Sequence, residues 1–192
     1  MLKEKIRIAL IGRAVSGKDT VGKYLVENYG FTSVVTGQLV RDYIAKHNLG
    51  EPTRPLMVEV ANAVRAKYGA DYFLQKALST ETDRLLIDGL RATGEVDFAR
   101  DAGCIIIAVD APIEKRYDWS RGRGRVSDEV TFEAFVMQEE SDSKSNSSVE
   151  QNLDAIIEGA DYSINNIRDL VYLYQQVDGL MSNLGIGKAA NA

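Results

Sequence analysis

The residues with the clearest chemical potential form a short glycine-rich stretch near the start of the chain. From residue 12 the sequence matches Gly-x-x-x-x-Gly-Lys, with Asp19 at the usual hydroxyl position and a hydroxyl one residue later at Thr20. Such glycines let successive backbone N–H groups turn toward a phosphate, and Lys18 is expected to reach the β- and γ-phosphates. The alternative is a glycine-rich turn without a ligand. The predicted nucleotide-binding residues here are Gly12, Arg13, Ala14, Val15, Ser16, Gly17, Lys18, Asp19 and Thr20.

A carboxylate further along the chain suggests a second part of the same site. Asp88 closes a short apolar run that predicts a buried strand. At the end of such a strand, Asp88 can hold Mg²⁺, directly or through water, or accept a hydroxyl proton. The alternative is that Asp88 only caps a turn or a helix. Asp19 either assists the metal beside Thr20 or caps the start of a helix. The predicted metal-binding set is therefore Asp19, Thr20 and Asp88.

A third feature is a run of arginines in a segment loosened by glycine, with Arg116, Arg121, Arg123 and Arg125 close together in sequence. Arginines of this kind can neutralise the charge that spreads over a phosphoryl group during transfer. The alternatives are an Arg/Gly surface loop or a weak RNA-binding patch. The RNA hypothesis is the weakest, because the net charge is −5 and few aromatic residues are interleaved.

Strand-like and helix-like segments alternate along the chain, and these elements must position the candidate residues. This pattern predicts an α/β domain with a five-stranded parallel sheet, whose ligands bind beyond the carboxyl ends of the strands. Residues 12–20, 36–37, 88–91, 110 and 165–166 would then share one edge. A loop is expected at 141–148 and a frayed tail after about Ser182. Strands are predicted at 6–11, 32–36, 85–88, 104–109 and 160–165, and helices at 18–29, 37–48, 55–68, 71–79, 93–102, 113–120, 131–140, 149–158 and 170–180.

Composition narrows the class of protein. The 192 residues, 45% apolar and 27% charged, suit one globular domain with a substantial core. One cysteine excludes an intrachain disulfide and favours a reducing compartment. No apolar run is long enough for a signal peptide core or a membrane span, so we expect a cytoplasmic protein. The single histidine, His47, is given no catalytic role, and no cysteine–histidine cluster suggests zinc.

Several motifs together resemble the adenylate-kinase-like nucleotide kinases. Residues 17–20 resemble the Gly-Lys-Gly-Thr form of their phosphate loop, which also delays its hydroxyl by one position. Residues 36–41 look like their Thr-Gly-Asp-x-x-Arg element with Gln38 in place of Asp, and residues 87–91 look like their Asp-Gly-x-x-Arg element with one residue fewer. The resemblance implies that the arginines grip the acceptor's phosphate. The implied acceptor-binding residues are Thr36, Gly37, Arg41 and Arg91.

The arginine run resembles the short lid of small-molecule P-loop kinases, which closes over the transferring phosphoryl group. This resemblance implies an ATP contact for Arg116 and catalytic roles for Arg121 and Arg125, together with Lys18 and Asp88. Residues 159–166 look like the last strand and turn of dephospho-CoA kinases, where the turn lies near the adenine of ATP. That likeness implies ATP-binding roles for Asn165 and Asn166.

The resemblance covers roughly residues 6–181, and the run as a whole is most similar to an uncharacterised archaeal group of dephospho-CoA-kinase-like P-loop proteins. It departs from dephospho-CoA kinases in one respect. Those enzymes typically carry an acidic residue just after the second strand, whereas here no carboxylate appears before Asp42.

The expected protein is thus an ATP- and Mg²⁺-dependent phosphotransferase that acts on a small phosphorylated acceptor such as a nucleoside monophosphate. Dephospho-CoA kinase is one alternative, and a nucleotide-binding regulatory protein with slow hydrolysis is another. No nucleic-acid or membrane partner is expected, and the expected assembly is a monomer or homodimer. One P-loop kinase domain would span 1–192, with a core at about 4–36, 83–112 and 149–181, a helical acceptor-binding insertion at about 37–82 and a lid at about 113–148.

Overall fold

Each strand is followed by one or more helices in the computed structural model, which describes residues 5–122, 130–143 and 152–189, excluding the side chains of 141–143. The strands are β1 (Ile6–Ile11), β2 (Thr32–Val35), β3 (Arg84–Asp88), β4 (Ile105–Asp110) and β5 (Tyr162–Asn165). The helices are α1 (Lys18–Tyr29), α2 (Thr36–Lys46), α3 (Arg54–Tyr68), α4 (Tyr72–Leu78), α5 (Thr93–Asp101), α6 (Ile113–Gly122), α7 (Phe132–Ser143), α8 (Leu153–Glu158) and α9 (Leu170–Asn183). No helix in these ranges is long and apolar enough to cross a bilayer.

The strands form one parallel sheet in the order β2-β3-β1-β4-β5, which confirms the predicted fold class. The chain leaves β1 toward β2 on one side and later returns to β4 on the other side. In sheets of this kind a crevice opens where the connections diverge, outside the carboxyl ends of the strands. The ends of β1, β3 and β4 meet at that crevice.

Side-chain alternation along the central strands explains why both faces of the sheet are covered. Ile8 and Leu10 of β1 face one core with α1 and α9, while Ala9 and Ile11 face a second core with α4, α5 and α8. Successive side chains on a strand point to opposite faces, so an unbroken apolar run suits a doubly covered strand. A rigid sheet thereby fixes the loops at its carboxyl edge.

Between β2 and β3, the helices α2, α3 and α4 pack around a small core of their own. Val40 and Ile44 of α2 share one buried cluster with Val60 and Val64 of α3 and with Phe73 of α4, which is 1% exposed. Thr53 caps the start of α3 by accepting a hydrogen bond from the Leu56 backbone N–H. This helical group forms one wall above the crevice.

The expectation of a frayed tail after about Ser182 is wrong. α9 continues to Asn183, Ile186 is buried, and Ala189 N donates to Asn28 O at 2.9 Å. Asp178 holds this corner together, because it accepts hydrogen bonds from Tyr24, Tyr29 and Lys188. Burial raises the pKa of Asp178, but the bonds from Tyr29, Lys188 and Tyr24 outweigh burial and leave that pKa below its usual value.

Two predicted boundaries also move. Thr36 begins α2 and does not end β2, because its hydroxyl turns back to the backbone after β3. A loop was expected at 141–148, but residues 141–143 are helical and belong to α7. Residues 144–148 lie outside the described ranges. The helix predicted from 149 begins at Leu153 within the described ranges, and 149–151 lie outside them.

Candidate active site

The glycine-rich loop between β1 and α1 is packed so tightly that two of its positions admit only glycine. A Cβ on Gly12 would collide with the carbonyl oxygen of Val109, at the end of β4. Gly17 has φ +94°, and a Cβ there would collide with the side-chain nitrogen of Asn166. Asn166 also donates from Nδ2 to Ser16 O at 3.1 Å. The loop is therefore held against the ends of β4 and β5.

This loop presents unsatisfied donors to whatever binds in it. The N-terminus of α1 has no side-chain cap, so its first backbone N–H groups have no intrahelical acceptor. The hydroxyl of Ser16 is buried and lacks a hydrogen-bond partner among the described residues. Free N–H groups, an orphan hydroxyl and the positive end of the α1 dipole all favour an anion here.

Lys18 and Asp88 face each other across the floor of the site. Lys18 Nζ donates to Asp88 Oδ1 and lies 3.2 Å from Asp19 Oδ1. Asp88 belongs to buried β3 and is fixed, whereas Lys18 has a flexible stem that can swing toward a phosphate. The strand therefore holds a carboxylate beside the loop, as the sequence predicted.

The oxygen donors near this pair suit magnesium. Thr20, Asp19 and Asp88 all line the same cleft, and hydroxyl and carboxylate oxygens are the ligands that Mg²⁺ accepts. No group of three or more His, Cys, Asp or Glu residues in the described part of the chain is arranged to hold a metal alone. A magnesium ion here would therefore also need phosphate oxygens from the nucleotide, as is usual for this ion.

The loop after β3 is tied to the start of α2. Thr36 Oγ1 donates to Gly89 O at 2.8 Å, and Gly89 has φ +100°, which glycine adopts readily. Gln38 Oε1 accepts from Arg41 Nη1 at 3.3 Å, so the residue that replaces Asp in the motif orients the predicted acceptor arginine. Thr36 is buried, so its hydroxyl fixes the geometry of the loop and is not exposed as a donor to a ligand.

One cleft of about 820 Å³ joins the glycine-rich loop to the wall formed by α2 and α3. It contains most of the site residues expected from the sequence: Gly12, Arg13, Ala14, Val15, Ser16, Gly17, Lys18, Asp19, Thr20, Thr36, Gly37, Arg41, Asp88, Arg91 and Asn166. Residues from distant parts of the chain therefore meet at a single site.

The cleft also contains residues that sequence reasoning missed. On α3, Arg54, Met57, Ala61 and Arg65 recur at spacings of three and four and line one wall. That spacing places them on one face of a helix, and it was the sequence signal from which this wall of the cleft could have been predicted. At the other end, the lining is completed by Trp119 of α6, by Arg168 just before α9 and by Leu170 at the start of α9.

An ATP contact was expected for Arg116, but this residue does not line the cleft. It is 3% exposed and forms an ion pair with Glu139 of α7, while its Nε donates to Ala111 O at 2.9 Å and its Nη1 donates to Ala14 O at 3.2 Å. Its charge is therefore used inside the protein, and it supports the backbone of the glycine-rich loop from behind.

Arg121 and Asn165 also lie outside the cleft lining of the described residues. Arg121 is exposed at the end of α6, and Asn165 is bound through its backbone by the side chain of Gln176 at 3.1 and 2.9 Å. Arg123 and Arg125 fall on residues outside the described ranges. Among the expected lid arginines within the described ranges, Arg116 alone contacts the glycine-rich loop.

Comparison with known proteins agrees with this geometry. The family model described as AAA domain matches residues 8–151. A UPF0200 protein of Methanosarcina barkeri (strain Fusaro) is 27% identical over 183 residues, covering 92% of this chain and 94% of the relative. A cytidylate kinase of Methanoregula boonei is 27% identical over 135 residues, covering 70% of each chain.

Solved structures share the fold. The shikimate kinase from Bacteroides thetaiotaomicron aligns with a TM-score of 0.63 at 14% identity, covering 94% of this chain and 98% of that one. The shikimate kinase from Acinetobacter baumannii in complex with shikimate aligns with a TM-score of 0.59 at 17% identity, covering 95% of each chain. The resemblance to P-loop nucleotide kinases and to an archaeal group is thereby confirmed, and the chain belongs to the AAA domain family, with a P-loop kinase fold.

Proposed function

We propose that the protein is an ATP- and Mg²⁺-dependent phosphotransferase that moves the γ-phosphoryl group to a small phosphorylated acceptor such as a nucleoside monophosphate. The observation that carries the proposal is the single cleft of about 820 Å³ with a phosphate loop at one end and arginines at the other. Asp88 lies between the two ends. Phosphoryl transfer needs mainly positioning and charge stabilisation, and such a cleft supplies both.

At the donor end, the backbone of residues 12–20 would hold the phosphates and Lys18 would leave Asp88 to contact the β- and γ-phosphates. Thr20 and Asp88, with Asp19 beside them, would hold Mg²⁺, which when bound neutralises phosphate charge. Trp119 and Arg168 line the cleft, as Asn166 does, and offer flat surfaces for the nucleotide base. We assign the base to that end of the cleft.

At the acceptor end, the balance of charge favours a phosphate over a hydroxyl. Apart from Asp88, the described lining residues around α2 and α3 include no carboxylate, whereas Arg41, Arg54 and Arg91 lie there, together with Arg65, which is paired with Glu95. A phosphate oxygen is already anionic and needs no general base, whereas a hydroxyl must lose its proton. In this proposal Asp88 is committed to Mg²⁺, so a hydroxyl acceptor such as dephospho-CoA has less support.

The segments around the cleft receive matching roles in this proposal. Residues 37–82 would form the acceptor-binding insertion and residues 113–148 the lid, on the core at 4–36, 83–112 and 149–181. Within the lid, Arg116 would position the phosphate loop from behind, and Arg121 and Arg125 would act on the phosphoryl group only after lid closure. The cytidylate kinase among the relatives supports testing nucleoside monophosphates first.

An acceptor screen with Mg·ATP tests the proposal. The panel contains ribo- and deoxynucleoside monophosphates and dephospho-CoA, and the products are separated by chromatography. The proposal is supported if the wild type phosphorylates a monophosphate and Arg41→Ala does not. Transfer to dephospho-CoA alone would contradict the proposed acceptor and identify dephospho-CoA in its place. Slow release of phosphate that no acceptor accelerates would instead favour a nucleotide-binding regulatory protein.

A further inference from the structure

A buried ion pair joins the acceptor wall to the loop after β3, and the roles assigned above do not use it. Arg65 of α3 is 4% exposed, Glu95 of α5 is fully buried, and Arg65 Nε donates to Glu95 Oε1 at 3.0 Å. The other carboxylate oxygen accepts from Arg91 N at 2.8 Å and from Ala92 N at 3.1 Å. One carboxylate therefore holds both the guanidinium of Arg65 and the backbone at Arg91, which come from separate parts of the chain.

Fold stability alone does not account for this pair. A buried ion pair seldom repays the desolvation of its charges, and apolar residues of similar volume usually serve a core as well. The start of α5 needs an acceptor for its free N–H groups, but a short side chain at the preceding residue normally supplies that. Glu95 does both: its Oε2 accepts from Arg91 N and Ala92 N before α5, and its Oε1 reaches across to Arg65 on α3, which ties the acceptor wall to the loop that carries Arg91.

The remaining hydrogen-bonding capacity of Arg65 is directed by these contacts. Its Nε is taken by Glu95 and its Nη1 donates to Asn62 Oδ1 at 3.3 Å, while Nη2 has no hydrogen bond to the described residues. Arg65 also lines the cleft, one helical turn beyond Ala61. A guanidinium held on one edge by a carboxylate can still bind an oxyanion through its other donors.

We propose that Arg65 is a specificity-determining contact to the phosphate of the acceptor and that Glu95 is the positioning residue that sets Arg65 beside Arg91. This inference rests on the proposed function and names its acceptor class as a phosphomonoester, whose oxygens match several guanidinium forks. Glu95 already balances the charge of Arg65. The contribution of Arg65 is therefore geometric, and a lysine cannot replace it.

Two variants test this. Arg65→Lys keeps the charge beside Glu95 but loses the fork, and the double variant Arg65→Met with Glu95→Leu replaces the whole pair by apolar groups and leaves no buried charge unpaired. Arg100→Ala is the matched control, because Arg100 lies on the same helix as Glu95, pairs with Asp161 and is absent from the cleft lining. Steady-state kinetics give KM for the acceptor and for Mg·ATP, and calorimetry gives direct binding of each nucleoside monophosphate.

The expected result is a rise of about tenfold or more in KM and Kd for the monophosphate in both variants, as for a lost hydrogen bond to a charged group. The KM for Mg·ATP stays unchanged, and the control behaves like the wild type. A folded variant whose acceptor KM equals that of the wild type overturns the inference but leaves the proposed function intact. A variant in which kcat falls and the acceptor KM does not change has the same meaning. A wild-type protein that neither binds nor phosphorylates any monophosphate overturns both.

Discussion

Replacing Lys18 by alanine tests two roles of one side chain, of which the first concerns stability. Lys18 and Asp88 form an ion pair whose side chains are only 14% and 9% exposed. Removing one partner of a buried pair leaves an uncompensated charge and costs about 3–5 kcal/mol. Because Lys18 retains some solvent contact, we expect the lower end, about 3 kcal/mol. With an m-value of about 2–3 kcal/mol/M, the midpoint in urea should fall by about 1 M.

The partner substitution should behave differently. Asp88→Asn leaves an ammonium on a flexible stem, which can move its charge into water, so the loss of stability should be smaller than for Lys18→Ala. The double variant Lys18→Ala with Asp88→Asn should recover most of the stability lost by Lys18→Ala, because no unpaired charge stays buried. These three variants form a double-mutant cycle that isolates the pair.

The second role is catalytic and needs its own assay. If Lys18 stabilises the charge on the transferring phosphoryl group, its loss should lower kcat by about 10²–10³, which corresponds to about 3–4 kcal/mol of transition-state stabilisation. Transfer is measured with saturating Mg·ATP at a temperature where circular dichroism shows the variant folded. Wild-type turnover in Lys18→Ala would refute the assigned donor site, and an unchanged urea midpoint would refute the stability reasoning.

Three further predictions concern the scaffold. Gly12→Ala places a methyl group against the Val109 carbonyl and 2.9 Å from Ser16 Oγ, so it should lower stability by about 1–3 kcal/mol and weaken Mg·ATP binding in calorimetry. Phe73→Ala empties the core of the helical wall and should cost about 3–5 kcal/mol in urea unfolding, with hydrogen exchange rising first in α2–α4. Asp178 has a lowered pKa in the folded protein, so its stabilising effect is full above the unfolded pKa of about 3.9 and disappears as the pH falls through the folded value. The difference in melting temperature between the wild type and Asp178→Asn should therefore shrink on acidification, and a constant difference would contradict this assignment.

The features predictable from sequence were those encoded locally. The glycine spacing before Lys18 and the apolar runs of β1, β3 and β4 each depend on residues within a few positions of one another. From these, the parallel sheet and the position of Asp88 at its carboxyl edge followed from general rules of α/β folds.

The features that were missed depend on contacts between distant residues. Arg116 sits in an arginine-rich segment typical of a mobile lid, but its partner Glu139 lies 23 positions away and draws it into the interior. Likewise, the pairing of Arg65 with Glu95 spans 30 positions. A sequence pattern reports that an arginine is present and on which helical face, but only the packing of helices decides which carboxylate it meets.

The position of Trp119 has a practical consequence for optical measurements. It is the single tryptophan in the chain, it is half-buried, and it lines the cleft at the end assigned to the nucleotide base. Excitation at the red edge of indole absorption avoids the nine tyrosines, so the emission comes from one known place. Ligand entry changes the polarity around the ring or quenches it by stacking. The protein therefore carries an intrinsic fluorophore with which occupancy of its cleft can be followed in real time without a label.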